Sequence, residues 1–143
     1  MKMAVIGFVV ALVLVIAGGA AYAQMEKPTF CGGCHAMADN YATWQDSSHA
    51  SVACSECHLP HDNMATKLAA KAATGTVDVW HETMRDYGID IKTTEKGKEY
   101  LQNNCIRCHE STIKDISMGG KDDDRQCVSC HRNLVHGTMS ISQ

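Results

Sequence analysis

Cys31-Gly-Gly-Cys34-His35, Cys54-Ser-Glu-Cys57-His58, Cys105-Ile-Arg-Cys108-His109 and Cys127-Val-Ser-Cys130-His131 decide how this chain must fold. Each is a C-x-x-C-H unit, and together they use all eight cysteines. The unit reads as a c-type haem attachment site. Two thiols at this spacing form thioethers with the two haem vinyl groups, and the next residue, His, is held beneath the ring to ligate iron. Zinc sites also use C-x-x-C pairs, but they do not require a histidine directly after the second cysteine four times over. Disulfides would leave the four histidines unexplained. The eight thiols are therefore expected to hold four covalent haem c groups.

The rest of the composition agrees. Beyond residue 24, Leu, Ile, Val and Phe number only 16 in 119 residues, too few for a packed aliphatic core. Four porphyrins must supply that core, with short protein segments wrapped around them. A contiguous haem stack is a wire for single electrons, because the cofactor carries the redox chemistry. The formal net charge of −3 gives no electrostatic case for a nucleic-acid partner.

Met3 to Ala23 is a run without charge or strongly polar side chains. About 20 apolar residues span a bilayer core as a helix. Lys2 and the amino terminus precede the run, which keeps that end cytoplasmic and puts everything after Gln24 outside. Ala21-Tyr22-Ala23 also resembles a signal-peptide cleavage site, but the run is longer than a usual signal core. The expected fold is mainly α with much irregular structure. Residues 1–24 form an uncleaved transmembrane signal-anchor helix, and residues 25–143 a compact multihaem cytochrome c domain.

Units one and two start 23 residues apart and units three and four 22 apart, with a longer connector between them, which suggests two di-haem modules. The connector opens with Pro60-His61-Asp62, a helix start, and the Ala-, Lys-, Met- and Leu-rich stretch from Asp62 to about Trp80 favours a helix. Met64, Leu68, Lys71, Gly75 and Asp78 fall on one stripe of it. The stripe is too mixed for ordinary core. Gly75 permits close approach to the backbone, bracketed by the opposite charges of Lys71 and Asp78. A second helix is expected from Thr94 to about Asn103. Asp122-Asp123-Asp124, after Gly119-Gly120, reads as a solvated loop.

Four bis-histidine haems need eight histidines, and the chain has eight. That count would put His35, His58, His109 and His131 below the rings and His49, His61, His81 and His136 above. His136 is five residues from His131, and His61 three from His58, too short to cross their own macrocycles. His136 is therefore expected to serve a neighbouring haem, most simply the third, and His49 the fourth if the modules pack together.

These features resemble the NapC/NirT family of membrane-anchored tetrahaem quinol dehydrogenases, and within it the small haem-relay subunits of ammonia-forming nitrite reductases. The resemblance lies in Cys31-Gly-Gly-Cys-His-Ala-Met37, Tyr41-Ala-Thr-Trp-Gln-Asp-Ser-Ser-His-Ala50, Cys54-Ser-Glu-Cys-His-Leu-Pro60, Asn104-Cys-Ile-Arg-Cys-His109 and Cys127-Val-Ser-Cys-His-Arg-Asn-Leu-Val-His136. It implies that Met37 replaces His35 on the first iron; a thioether raises haem potential relative to imidazole. It places Asp78 over the other face of that haem, with Lys71 close by, as the quinol site. It implies His58, His109, His131, His49 and His136 as the remaining ligands from this chain, and a Lys from a partner on the second haem. His61 and His81 are then polar or propionate contacts.

The chemistry is coherent. Quinol oxidation releases electrons to a haem near the membrane and protons to a base, and a carboxylate such as Asp78 can serve. Lys71 can hold a quinol oxygen or tune Asp78 by its charge. The resemblance implies menaquinol as donor, a periplasmic haem domain on the inner membrane, and a pentahaem cytochrome c nitrite reductase catalytic subunit as acceptor. Two alternatives remain at this point: the same quinol chemistry feeding another reductase or cytochrome pool, and a soluble tetrahaem shuttle with a cleaved signal.

Overall fold

The computed structural model describes residues 2–88, 91–116 and 126–137. The expected loop at Asp122-Asp123-Asp124 lies outside the described residues. Among those described there are helices and irregular connections and no strands. Helix α1 runs Lys2–Met25, ending one residue beyond the expected anchor, and every side chain from Lys2 to Ala21 is exposed. A helix apolar on all sides and covered by no protein suits a lipid environment.

The first haem unit is built unlike the others. Helix α2, Pro28–Cys31, begins with proline at its first turn, where the missing N–H costs nothing. It ends at Cys31, Cys34 is extended (ψ 138°), and one 3-10 turn, His35–Met37, leads into α3, Ala38–Gln45. Gly32 is required here: a Cβ would lie 2.5 Å from the Tyr41 ring. The second unit is a helical turn of its own, α4, Cys54–His58. The fourth begins in α7, Cys127–Cys130. In a helical turn residues i and i+3 share a face, so both thiols project the same way.

The connector helix α5 spans Met64–Met84, starting two residues later and ending four later than expected. Asn63 caps it in a capping box with Thr66. It stops at Arg85, whose φ of 55° turns the chain left-handed. The second helix, α6, is far longer than expected. It covers Glu95–Ile116 and carries the third unit inside it, with a kink at His109 (φ −108°, ψ 19°). Helix α4 packs on α6, and α7 on the same helix. Asn104, buried, donates from Nδ2 to the carbonyls of Cys57 (3.0 Å) and Leu59 (2.8 Å) and locks α6 to the second unit. Leu59 and Pro60 are the buried apolar side chains among those described. Protein side chains alone thus make almost no core, which fits the need for bulky cofactors.

Candidate redox site

The donor set fits covalent haem. All eight cysteines are free thiols, none tied in a disulfide. Their order in space follows their order in sequence. Cys31 and Cys54 are in hydrogen-bonding contact. Cys57 is close enough to feel Cys108. Cys105 and Cys127 touch again. Units one to four therefore form a row in which each neighbours the next.

Two pairs of imidazoles face each other across that row. The rings of His49 and His109 have centroids 6.1 Å apart, and those of His58 and His136 also 6.1 Å. His136 Nδ1 lies 3.1 Å from the Asn40 carbonyl, and His49 Nδ1 lies 3.1 Å from Ser48 Oγ. Each contact engages Nδ1 and leaves Nε2 for a metal. Trp44 Nε1 donates to the carbonyls of His49 (3.1 Å) and Val52 (3.0 Å), which holds the His49 loop.

His136 stands beside His58 of the second unit, and His49 beside His109 of the third. The cause is the α4–α6 packing, which brings units two and three together, and the return of the chain after His131 to Asn40. Among the described residues, no second histidine ring stands beside His131 as His136 and His49 stand beside their partners. His61 turns its Nε2 to the Ser55 carbonyl (3.3 Å), and His81 pairs its Nδ1 with Asp86 (2.6 Å).

At the membrane end, α5 meets the first unit and the foot of α1. Lys71 Nζ pairs with Glu26, donates to the Met25 carbonyl (2.9 Å) and lies 5.1 Å from the centre of the Tyr22 ring. Glu26 also accepts from Lys67 (3.0 Å) and from Ser55 (2.8 Å), beside Cys54. Asp78 sits close enough to Cys31 and Cys34 for its charge to act on both thiols. Burial pushes its carboxyl above the ordinary range, and His81 pulls it partly back. Between Lys71 and Asp78, nothing lies within 4 Å of the place a Gly75 Cβ would take. One turn past Asp78, Glu82 accepts the backbone N–H groups of His35 (3.2 Å) and Ala36 (3.1 Å). Met37 is half-buried at the end of the same turn.

Sequence reading missed Glu26, Glu82 and Asn104. Glu82 continues the Lys71–Gly75–Asp78 stripe by one more step of four, a signal that was present. Glu26 and Asn104 act through contacts distant in sequence and leave no local pattern.

Residues 1–141 match a family model described as the NapC/NirT cytochrome c family, N-terminal region. The chain is 36% identical over 125 residues to the cytochrome c-type protein NrfH of Wolinella succinogenes, covering 80% of this chain and 71% of that one. It is 37% identical over 114 residues to the cytochrome c nitrite reductase subunit NrfH of Nitratidesulfovibrio vulgaris, covering 80% and 70%. Among solved structures it resembles a chain of the cytochrome c nitrite reductase NrfHA complex bound to the HQNO inhibitor. That likeness has a TM-score of 0.79 at 32% identity and covers 96% of this chain and 92% of the other.

Proposed function

The chain belongs to the NapC/NirT cytochrome c family, and from that membership we propose that it oxidises menaquinol at the outer face of the inner membrane. The electrons pass to a pentahaem cytochrome c nitrite reductase catalytic subunit, which forms ammonium. A nitrite-reductase acceptor is supported by the likeness to NrfH relatives and to the NrfHA complex. In this reading residues 1–24 stay attached as a single-pass anchor and residues 25–143 lie on the periplasmic side. The apolar circumference of α1 and its ties to α5 favour retention over a cleaved signal.

The four C-x-x-C-H units would hold four haem c groups, and such groups supply single-electron chemistry that organic side chains lack. Met37 would ligate at the first unit, His58 with a Lys from the catalytic subunit at the second, His109 with His136 at the third, and His131 with His49 at the fourth. The exit for electrons is then the second unit, at the contact with the partner.

The observation that carries the quinol reading is the convergence of Lys71, Asp78 and the Cys31 unit at the foot of the anchor. Lys71 uses donors on Glu26 and on the Met25 carbonyl. An ammonium has three N–H groups, so one remains for a quinol oxygen. Asp78 accepts a proton from the quinol hydroxyl, and its raised affinity for protons suits that role. The test uses the intact complex. Asp78→Asn should lower quinol oxidation by about 100-fold, and Lys71→Ala by about tenfold, with all four haems retained. Wild-type quinol turnover in both variants would falsify the site.

A further inference from the structure

The first unit differs from the others in backbone, and one side chain from another helix holds that difference in place. In the second unit, Cys54 to His58 is continuous helix. In the first, the chain leaves α2 at Cys31, extends at Cys34 and then makes the single turn His35–Met37. The Met37 N–H closes this turn on the Cys34 carbonyl (3.0 Å). Its two leading N–H groups, on His35 and Ala36, both point at the Glu82 carboxylate, at 3.2 and 3.1 Å. Free N–H groups at the start of a turn need an acceptor, and here it comes from 46 and 47 residues away rather than from a local cap.

Two hydrogen bonds from adjacent backbone groups to one carboxylate fix rotation of the turn about its own axis. The directions of the His35 and Met37 side chains are then fixed as well, since they lie two residues apart on that turn. Glu82 is also one turn beyond Asp78 on α5, so the same carboxylate sets how the helix carrying Asp78 lies against the first unit. We propose that Glu82 is the positioning residue that makes the first unit present Met37, and not His35, to its iron. It acts through the hydrogen bonds to the two backbone N–H groups rather than through its negative charge.

This inference rests on the reading of Met37 as ligand, and the experiment separates the two. Full-length protein with its partner subunit is purified with Met37→Leu, Glu82→Ala or Glu82→Gln, and the optical and magnetic signature and reduction potential of the first haem are recorded. Met37→Leu should remove the thioether signature. If it changes nothing at the first haem, Met37 is not the ligand and both ideas fall. Glu82→Ala should lose the thioether signature in most molecules and lower the potential, as imidazole replaces thioether. The other three haems should stay unchanged. Glu82→Gln has no charge and keeps only one of the two acceptor oxygens, its amide NH2 facing the other backbone N–H, and should lose the thioether signature in more molecules than wild type but fewer than Glu82→Ala. The proposal is overturned, with Met37 standing, if Glu82→Ala keeps the wild-type signature. It is equally overturned if Glu82→Gln is displaced as far as Glu82→Ala. Should Glu82→Ala fail to accumulate, the Gln variant decides: a partly retained signature supports hydrogen bonding, and one wholly retained or wholly lost refutes it.

Discussion

Glu26, the residue immediately after α1, is ion-paired with Lys71 on α5, so the end of the anchor is tied to the helix that carries Asp78. Lys67 and Ser55 donate to the same carboxylate. Burial alone would raise the Glu26 carboxyl, but the bonds from Lys71, Ser55 and Lys67 overcome it and hold the group at about 2, against an ordinary 4.5. A carboxylate depressed on folding stabilises fully above its ordinary pKa of 4.5 and loses that contribution as pH falls to about 2. The haem domain in detergent should therefore lose thermal stability across that window. Glu26→Gln should be less stable at neutral pH and lack this component of the acid loss. Identical acid profiles for the two proteins would count against the tie.

Asp78 predicts the pH profile of quinol oxidation. Burial disfavours its charged form, and the base must be charged to accept a proton. The acid limb of the rate profile should therefore fall at a pH above the ordinary carboxylate range. In Asp78→Glu, which keeps a carboxylate in altered surroundings, the limb should move. An acid limb at the same pH in Asp78→Asn, measured on its residual rate, would show that another group titrates there.

Asn104 should matter for stability more than for electron flow. Its amide satisfies two carbonyls at the joint of α4 and α6. Asn104→Ala strands both and should cost about 1–3 kcal/mol. A drop of several degrees in Tm of the holoprotein is the expected result. An unchanged Tm would mean that water replaces the amide without loss.

The haem units, the anchor and the mixed stripe of α5 were legible because each is a local pattern: fixed spacing, an apolar run, a 3.6-residue period. The stripe was read through Asp78, and Glu82 lay one step further on. The ligand partners were not legible. Loop length excluded His136 from its own macrocycle, but nothing in the spacing says which neighbour it reaches. That depends on Asn104 and on α4 packing against α6, contacts between residues more than 40 positions apart. Glu26 was passed over because a lone acidic residue after an anchor reads as solvated until its three donors are seen together.

The pairing of His109 with His136 and of His131 with His49 can be tested by counting in the intact complex. Residues that ligate one iron act as a unit, so their substitutions are not additive, whereas substitutions at separate irons are. His109→Ala and His136→Ala should each abolish one low-spin haem signal, and the double variant should still abolish only one. Combining His136→Ala with His58→Ala should abolish two. The alternative, with His136 on the second haem beside His58, reverses both doubles. Isolated from the catalytic subunit, the chain should also show a high-spin contribution that disappears when the complex forms, as the partner's Lys reaches the haem of His58. The distinguishing result is the double variant of His58 and His136: a single lost signal would move His136 to the second unit and leave no place there for the partner's Lys.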